Sequence, residues 1–271
     1  MAWKHLKFLR DPESYGALSY WPPEEEPTWR PLLLYLHGAG EVGEDINMLL
    51  NEGATGTPLQ VLEAETAIGD LMEFVVVAPQ TRQSWKPATL AKFMEFVYIC
   101  FPNVDRRHLY ISGHSMGATA ALKAAVNLGI FAAVVPVAPA GAPKAEDLAK
   151  AKLPVWAFHG KNDVTVPSDI SDNLIQGLRH LYKNPDDAKL TLYDDAPTPP
   201  GYPQCKGHAS TIPTYSNPSL YSWLLTKKHG INEKLSDFEI QLQRRNRHPL
   251  PPLSEDNNNN NHEEAQENNI K

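Results

Sequence analysis

The sequence predicts an α/β fold, in which a doubly wound, mostly parallel sheet carries helices on both faces. Three observations lead to this prediction. Short apolar runs alternate along the chain with segments whose apolar residues recur at helical spacing. The short runs are apolar on both faces, as in strands that are buried in a parallel sheet. Turn residues separate the two kinds of segment, so each run is expected to be followed by a helix.

The elements follow one another in a regular order. Alternation over residues 15–21 predicts an antiparallel edge hairpin before the first central strand. The apolar runs predict six strands: Leu32–His37, Phe74–Ala78, Leu109–Ser112, Ala133–Ala138, Val155–His159 and Leu190–Asp194. Helical spacing predicts four helices: Leu90–Phe101, Met116–Leu128, Ile170–Tyr182 and Pro218–His229. We interpret residues 1–231 as one domain.

Residues 232–271 have a different composition. They hold nine asparagines, five of them consecutive, and a single aromatic residue, Phe238. Such a segment buries too little apolar surface to offset its ordering entropy, so we expect a low-complexity, disordered tail. A short amphipathic helix over residues 235–243 is an alternative. The Pro249–Pro252 pair has PxxP form without the arginine spacing of an SH3 ligand, and a solvated tail is the better interpretation.

Composition and charge exclude several classes of function. The 271 residues are 42% hydrophobic and 21% charged, which excludes a wholly disordered chain, a collagen-like chain and a coiled coil. A net charge of −7 gives no basic field for nucleic acid. Two cysteines, Cys100 and Cys205, are too few for a disulfide framework, and no Cys/His cluster suggests a metal or cofactor. Residues 1–10 interleave charged and apolar residues, and no apolar run could span a membrane, so we expect a soluble, cytoplasmic protein.

The chemical signal is the pentapeptide GHSMG at residues 113–117. It lies between the strand-like HLYIS and a helical segment, which is the strand–turn–helix context of a nucleophile elbow. Glycines on both sides permit a tight turn that exposes the hydroxyl of Ser115. We therefore expect Ser115 to be a nucleophile. The alternative is a glycine-rich turn with an inert serine.

A serine nucleophile needs a base and an acid that orients the base. Asp163 follows the strand VWAFHG, although it could be a turn aspartate, and Asp194 and Asp195 follow the next strand. His208 lies in a loop before the final helix, where it could also be a surface histidine. His114 adjoins the serine and cannot fold back on it. We expect Asp163 and His208 to be the acid and the base.

An oxyanion hole requires backbone N–H groups near the attacked carbonyl. Met116, directly after the serine, supplies one. The loop HGAG at residues 37–40 supplies the other, from Ala39 or, as second choice, Gly40, unless it is merely a turn. Trp85 follows a strand end and is either a wall of the substrate pocket or an ordinary half-buried tryptophan.

These segments together resemble the α/β-hydrolase superfamily, and within it the phospholipase/carboxylesterase-like and "predicted peptidase" serine hydrolases. The resemblance is carried by five segments in family order: PLLLYLHGAGEVGED (31–45), FVVVAPQ (74–80), HLYISGHSMGA (108–118), LPVWAFHGKNDVTVP (153–167) and NPSLYSWLL (217–225). It implies an eight-stranded type of sheet and esterase-like chemistry. It also implies the same nucleophile, acid, base and oxyanion donors.

The chain departs from this family in two places. A proline-rich insertion, APTPPGYPQCKG, separates Asp195 from His208, and Ala118 stands where relatives often carry a second glycine. We expect the outer arm of loop 196–214 to form a wall that selects substrates by size, with Tyr202 as its main contact. The alternative is a surface excursion that merely delivers His208.

The predicted activity is hydrolysis of carboxylic esters through an acyl-enzyme. The expected partner is a small-molecule acyl ester, with no metal or cofactor. A serine peptidase or amidase and an acyltransferase use the same constellation of residues and remain alternatives. A catalytically silent hydrolase fold that serves as a binding module is a further alternative, from a different class of function.

Overall fold

The computed structural model describes residues 6–10, 15–22, 29–50, 56–63 and 69–230. The predicted tail, residues 232–271, including the possible helix at 235–243, lies outside the described residues. The strands are β1 (Leu6–Arg10), β2 (Gly16–Tyr20), β3 (Arg30–Leu36), β4 (Val75–Gln80), β5 (Val104–His114), β6 (Ala133–Val137), β7 (Val155–Gly160) and β8 (Ala188–Tyr193). The helices are α1 (Pro58–Glu63), α2 (Pro87–Cys100), α3 (Met116–Leu128), α4 (Ala145–Lys150), α5 (Asp169–Leu181), α6 (Thr211–Tyr215) and α7 (Pro218–Thr226).

The eight strands form one sheet in the order β1-β2-β4-β3-β5-β6-β7-β8. Strands β3 to β8 pair in parallel. Strand β2 is antiparallel to both β1 and β4, which confirms the predicted edge hairpin. The mostly parallel sheet is therefore as the sequence predicts. Because parallel strands present their carboxyl ends at one edge, the segments after β3, β5 and β7 meet there.

Two apolar layers cover the sheet. In β3, Leu32, Leu34 and Leu36 face a layer that includes buried residues of α2, α3, α4 and α5. The intervening Leu33 and Tyr35 face a second layer, which includes residues of α1, α6 and α7. Alternating side chains of one strand thus enter opposite layers, as the period of a strand requires. This arrangement confirms the doubly wound fold. No helix in the described part of the chain is long and apolar enough to cross a membrane.

The structure differs from the predicted elements in several regions, two of which lie close to the end of the domain. Helix α7 ends at Thr226, three residues before the predicted end, because Lys227 is extended and its carbonyl accepts the Tyr110 hydroxyl at 2.9 Å. The predicted loop 196–214 contains a 3-10 turn, Pro203–Cys205, and enters α6. Pro213 is tolerated in α6 because it lies in the first turn, where a backbone N–H has no helical partner.

Candidate active site

Ser115 lies on a sharp turn between β5 and α3. Its backbone has φ 54° and ψ −114°, an uncommon conformation for a residue with a side chain, and its N–H bonds the Val137 carbonyl at 2.9 Å. A Cβ on Gly113 would lie 2.6 Å from the carbonyl carbon of Gly117. A Cβ on Gly117 would lie 2.0 Å from the Leu36 oxygen. Both flanking positions therefore require glycine, and the turn is a nucleophile elbow in its geometry.

Asp163 follows β7 and its carboxylate is completely buried. One oxygen, Oδ1, accepts the backbone N–H groups of Thr165 at 2.8 Å and Val166 at 2.9 Å. The other, Oδ2, lies 2.7 Å from Nδ1 of His208. Burial alone would raise the pKa of Asp163, but hydrogen bonds from His159 and His208 outweigh it and hold that pKa below its ordinary value. The carboxylate is thus charged at neutral pH.

His208 lies just before α6 and its side chain is 9% exposed. Its N–H bonds the Cys205 carbonyl at 3.1 Å, while its own carbonyl lies 2.8 Å from Nε2 of His114. The imidazole rings of His114 and His208 are 4.6 Å apart between centroids. Because His114 directly precedes Ser115, these contacts bring His208 to the elbow. The structure therefore places the bonded Asp163–His208 pair against the residue that precedes Ser115.

Two buried histidines support this arrangement, and neither role is evident from the sequence. His159 places Nε2 3.4 Å from Oδ2 of Asp163 and Nδ1 2.8 Å from Oγ of Ser171. His114 holds the backbone of His208, and burial lowers the pKa of His114 to about 3. The available signal for His159 was a histidine at the end of an otherwise apolar buried strand, since buried polar side chains are normally hydrogen-bonded.

The loop after β3 lies against the elbow. A Cβ on Gly117 would also lie 2.4 Å from the His37 oxygen. The Thr81 N–H donates to Nε2 of His37 at 3.0 Å, so Nδ1 carries the proton and donates to the Gly38 carbonyl at 2.6 Å. Burial lowers the pKa of His37 to about 4, which keeps the ring neutral. The loop is thus fixed by a neutral histidine whose two ring nitrogens are both hydrogen-bonded.

The predicted oxyanion donors occupy this loop and the first residue of α3. Ala39 and Gly40 are exposed, and Met116 is half-buried. Trp85 is 8% exposed, and its indole N–H donates to the His37 carbonyl at 3.0 Å. The indole therefore packs against the loop that holds the predicted donors Ala39 and Gly40.

The remaining candidates have other partners among the contacts described. The carboxylate of Asp194 is 86% exposed and pairs with Lys161. Asp195 accepts a hydrogen bond from the Asn162 amide at 2.8 Å. Tyr202 is 40% exposed at the start of the 3-10 turn. Within the described residues, no group of three or more histidine, cysteine or carboxylate side chains is placed to bind a metal ion.

Solved structures share this architecture. A thermostable esterase superposes with a TM-score of 0.64 at 24% identity, covering 82% of this chain and 62% of its own. The chain has the α/β-hydrolase fold. The feruloyl esterase module of Clostridium thermocellum, complexed with sinapinate, gives a TM-score of 0.58 at 15% identity and covers 85% of this chain and 91% of its own. The acylaminoacyl peptidase of Pyrococcus horikoshii gives 0.55 at 12% identity, covering 89% and 44%.

Sequence comparison agrees with this α/β-hydrolase fold. The dienelactone hydrolase family model matches residues 81–197, a segment that includes Ser115 and Asp163 and ends before His208. A search of curated proteins found no match. The chain spans 62% of the thermostable esterase and 44% of the peptidase.

Proposed function

We propose that the protein is a serine hydrolase that cleaves carboxylic esters through an acyl-enzyme. The observation that carries this proposal is the 2.7 Å hydrogen bond between Asp163 and His208, held beside a strained serine turn. A serine in a glycine-rich turn is common. A buried carboxylate that is bonded to a histidine next to such a serine is the arrangement of a nucleophile with its base and acid.

The hydrogen bonds of Asp163 determine the tautomer of His208. The carboxylate is ionised and can only accept, so Nδ1 of His208 carries the proton. Nε2 is then unprotonated and free to accept the proton of Ser115. The two backbone N–H groups on Oδ1 prevent the carboxylate from rotating away. His208 is therefore in the tautomer that can accept a proton before any substrate binds.

The proposed reaction has two steps. His208 takes the proton of Ser115 as Oγ attacks the ester carbonyl, and the N–H groups of Ala39 and Met116 stabilise the oxyanion. The tetrahedral intermediate collapses, the C–O bond to the alcohol breaks, and His208 returns the proton to the leaving alkoxide. Water then attacks the acyl-enzyme with His208 as base, which releases the carboxylic acid and restores the serine.

The comparisons favour esters as the substrate class. The matching family is named for a lactone hydrolase, and two of the structural neighbours are esterases. The acylaminoacyl peptidase neighbours make peptide hydrolysis the second candidate. Esterases and peptidases share this fold and the same catalytic residue types. Only assays on both kinds of substrate can therefore distinguish the two activities.

A substrate panel tests the proposal. Purified protein is assayed on p-nitrophenyl esters of increasing acyl length, a matched acyl thioester and an acylaminoacyl peptide, with Ser115→Ala as control. We expect ester hydrolysis that the variant lacks. Cleavage of the peptide alone would replace esterase by peptidase. Absence of turnover on every substrate, with the protein folded, would favour the silent binding module.

A further inference from the structure

Asn162, the residue before Asp163, binds the N-terminal end of the loop that carries His208. Its Oδ1 accepts the Ala196 N–H at 2.9 Å, and its Nδ2 donates to the Ala196 carbonyl at 3.0 Å. Nδ2 also donates to Oδ1 of Asp195 at 2.8 Å. The amide therefore pairs with both backbone groups of one residue, 34 positions away, in the manner of a neighbouring strand.

The part of the same loop just before His208 packs on the backbone of Asn162. Gly207 has φ +77°, and a Cβ there would lie 2.4 Å from the Asn162 carbonyl oxygen. A Cβ on Gly160 would lie 2.6 Å from both the Ala196 Cβ and the Gly207 oxygen. Both ends of the insertion, Ala196 and Gly207, thus meet at the turn that presents Asp163. The Ala209 N–H closes the loop on the Pro197 carbonyl at 3.0 Å.

We propose that Asn162 is a positioning residue that joins the acid turn to the base loop and so sets the separation of Asp163 and His208. The inference rests on the proposed function. The 12 residues from Ala196 to Gly207 lie between Asp195 and His208, so strand β8 alone cannot place the imidazole. The Val164 N–H bonds the Lys206 carbonyl at 3.0 Å, and His114 bonds the His208 carbonyl, at the C-terminal end of the loop. Asn162 adds the side chain that fixes the N-terminal end of the loop to the turn that carries the acid. Neither β7 nor β8 depends on it, since the two strands pair directly along their length.

The first test separates positioning from folding by kinetics. Asn162→Ala should lower kcat on the best ester by about 10- to 100-fold, with KM changed by less than about twofold, because displacing a catalytic group by about 1 Å costs on that order. The matched control is Lys161→Ala. Lys161 directly precedes Asn162, and its replacement removes only an exposed ion pair with Asp194. It should leave kcat and the melting temperature unchanged.

A second test exchanges the amide of residue 162 and the carboxylate of residue 195, and asks whether the exchange restores activity. Asn162→Asp places a second carboxylate against Asp195 and should lower kcat more than Asn162→Ala does. Adding Asp195→Asn supplies an amide that donates to the introduced carboxylate, so the double variant should recover at least about fivefold over Asn162→Asp. Additive losses in the double variant would overturn the proposed contact.

A spectroscopic measurement distinguishes failure of this inference from failure of the proposed function. The proton on Nδ1 of His208 should give a downfield 1H NMR resonance, assigned by its absence in Asp163→Ala, whether or not any ester is hydrolysed. Asn162→Ala should shift or broaden that resonance, and Lys161→Ala should not. An unchanged resonance and unchanged kcat in Asn162→Ala overturn the positioning role. A shifted resonance in a protein that hydrolyses no ester supports it while refuting the esterase.

Discussion

Replacing Asp163 by asparagine tests the proposed tautomer of His208. The amide is nearly isosteric, so the fold should persist. Its oxygen has to face the N–H groups of Thr165 and Val166, because the amide NH2 would otherwise oppose two donors at 2.8 and 2.9 Å. The NH2 group then faces Nδ1 of His208 at the former 2.7 Å contact. Nδ1 becomes an acceptor, and the proton moves to Nε2, which can no longer accept the proton of Ser115.

The size of the effect follows from losing the productive tautomer. We expect kcat to fall by about 10²- to 10⁴-fold, which corresponds to roughly 3–5 kcal/mol of transition-state stabilisation. His159 does not compensate, because its Nε2 lies 3.4 Å from the same oxygen and 3.1 Å from the Val166 carbonyl. Its ring is buried and held by the Ser171 hydroxyl and the Val166 carbonyl.

The assay is steady-state hydrolysis of the best ester in the panel, with the melting temperature measured on the same samples. Asp194→Asn is the matched control, since that carboxylate is exposed and pairs only with Lys161 among the contacts described. Near-normal kcat in Asp163→Asn, with activity abolished in Asp194→Asn or Asp195→Asn, would show that the acid has been assigned to the wrong strand.

Three further predictions concern the surroundings of this pair. Gly117→Ala should lower both stability, by about 1–3 kcal/mol, and kcat, because the added methyl would press on the loop after β3; an unchanged melting temperature contradicts the close approach. His37 and His114, with pKa values lowered to about 4 and about 3, stay neutral while the unfolded histidines bind protons below about pH 6.5. The free energy of unfolding should therefore fall as pH drops from about 6.5, by about 2 kcal/mol per histidine at about pH 5, and thermal melts of His37→Asn should show a weaker slope; an equal slope contradicts the neutral ring. Replacing residues 199–204, including Tyr202, by a short glycine-serine bridge should relax acyl-chain selectivity more than it lowers the best-substrate rate. An unchanged ranking of substrates would show that the arm only delivers His208.

The sequence predicts the central strands well and the short helices poorly. Fully apolar runs bounded by turn residues placed β6 and β7 within one residue, and helix α3 matches its predicted bounds. The first half of β5 was missed because VDRRH is polar, although Val104 pairs with Arg30 of β3. Helices α1, α4 and α6 have five or six residues. In such short segments intrinsic propensity carries little information, and tertiary packing decides.

The proposed catalytic residues have local sequence signals, whereas the residues that hold them in place do not. Ser115, Asp163 and His208 belong to local patterns that follow strands in a known order. The bonds of Asn162 to Ala196 and of His114 to His208 join residues 34 and 94 positions apart. Nothing local marks such pairs, because a hydrogen bond across the fold depends on how the loops pack.

Covalent labelling of Ser115 tests most directly whether this serine is the nucleophile. A fluorophosphonate probe reacts with a serine only when a base has activated its hydroxyl. The wild-type protein should gain the mass of one probe less HF, located by peptide mass spectrometry at Ser115. Ser115→Ala should gain none while melting at the same temperature. Equal labelling of the two proteins would contradict the central claim.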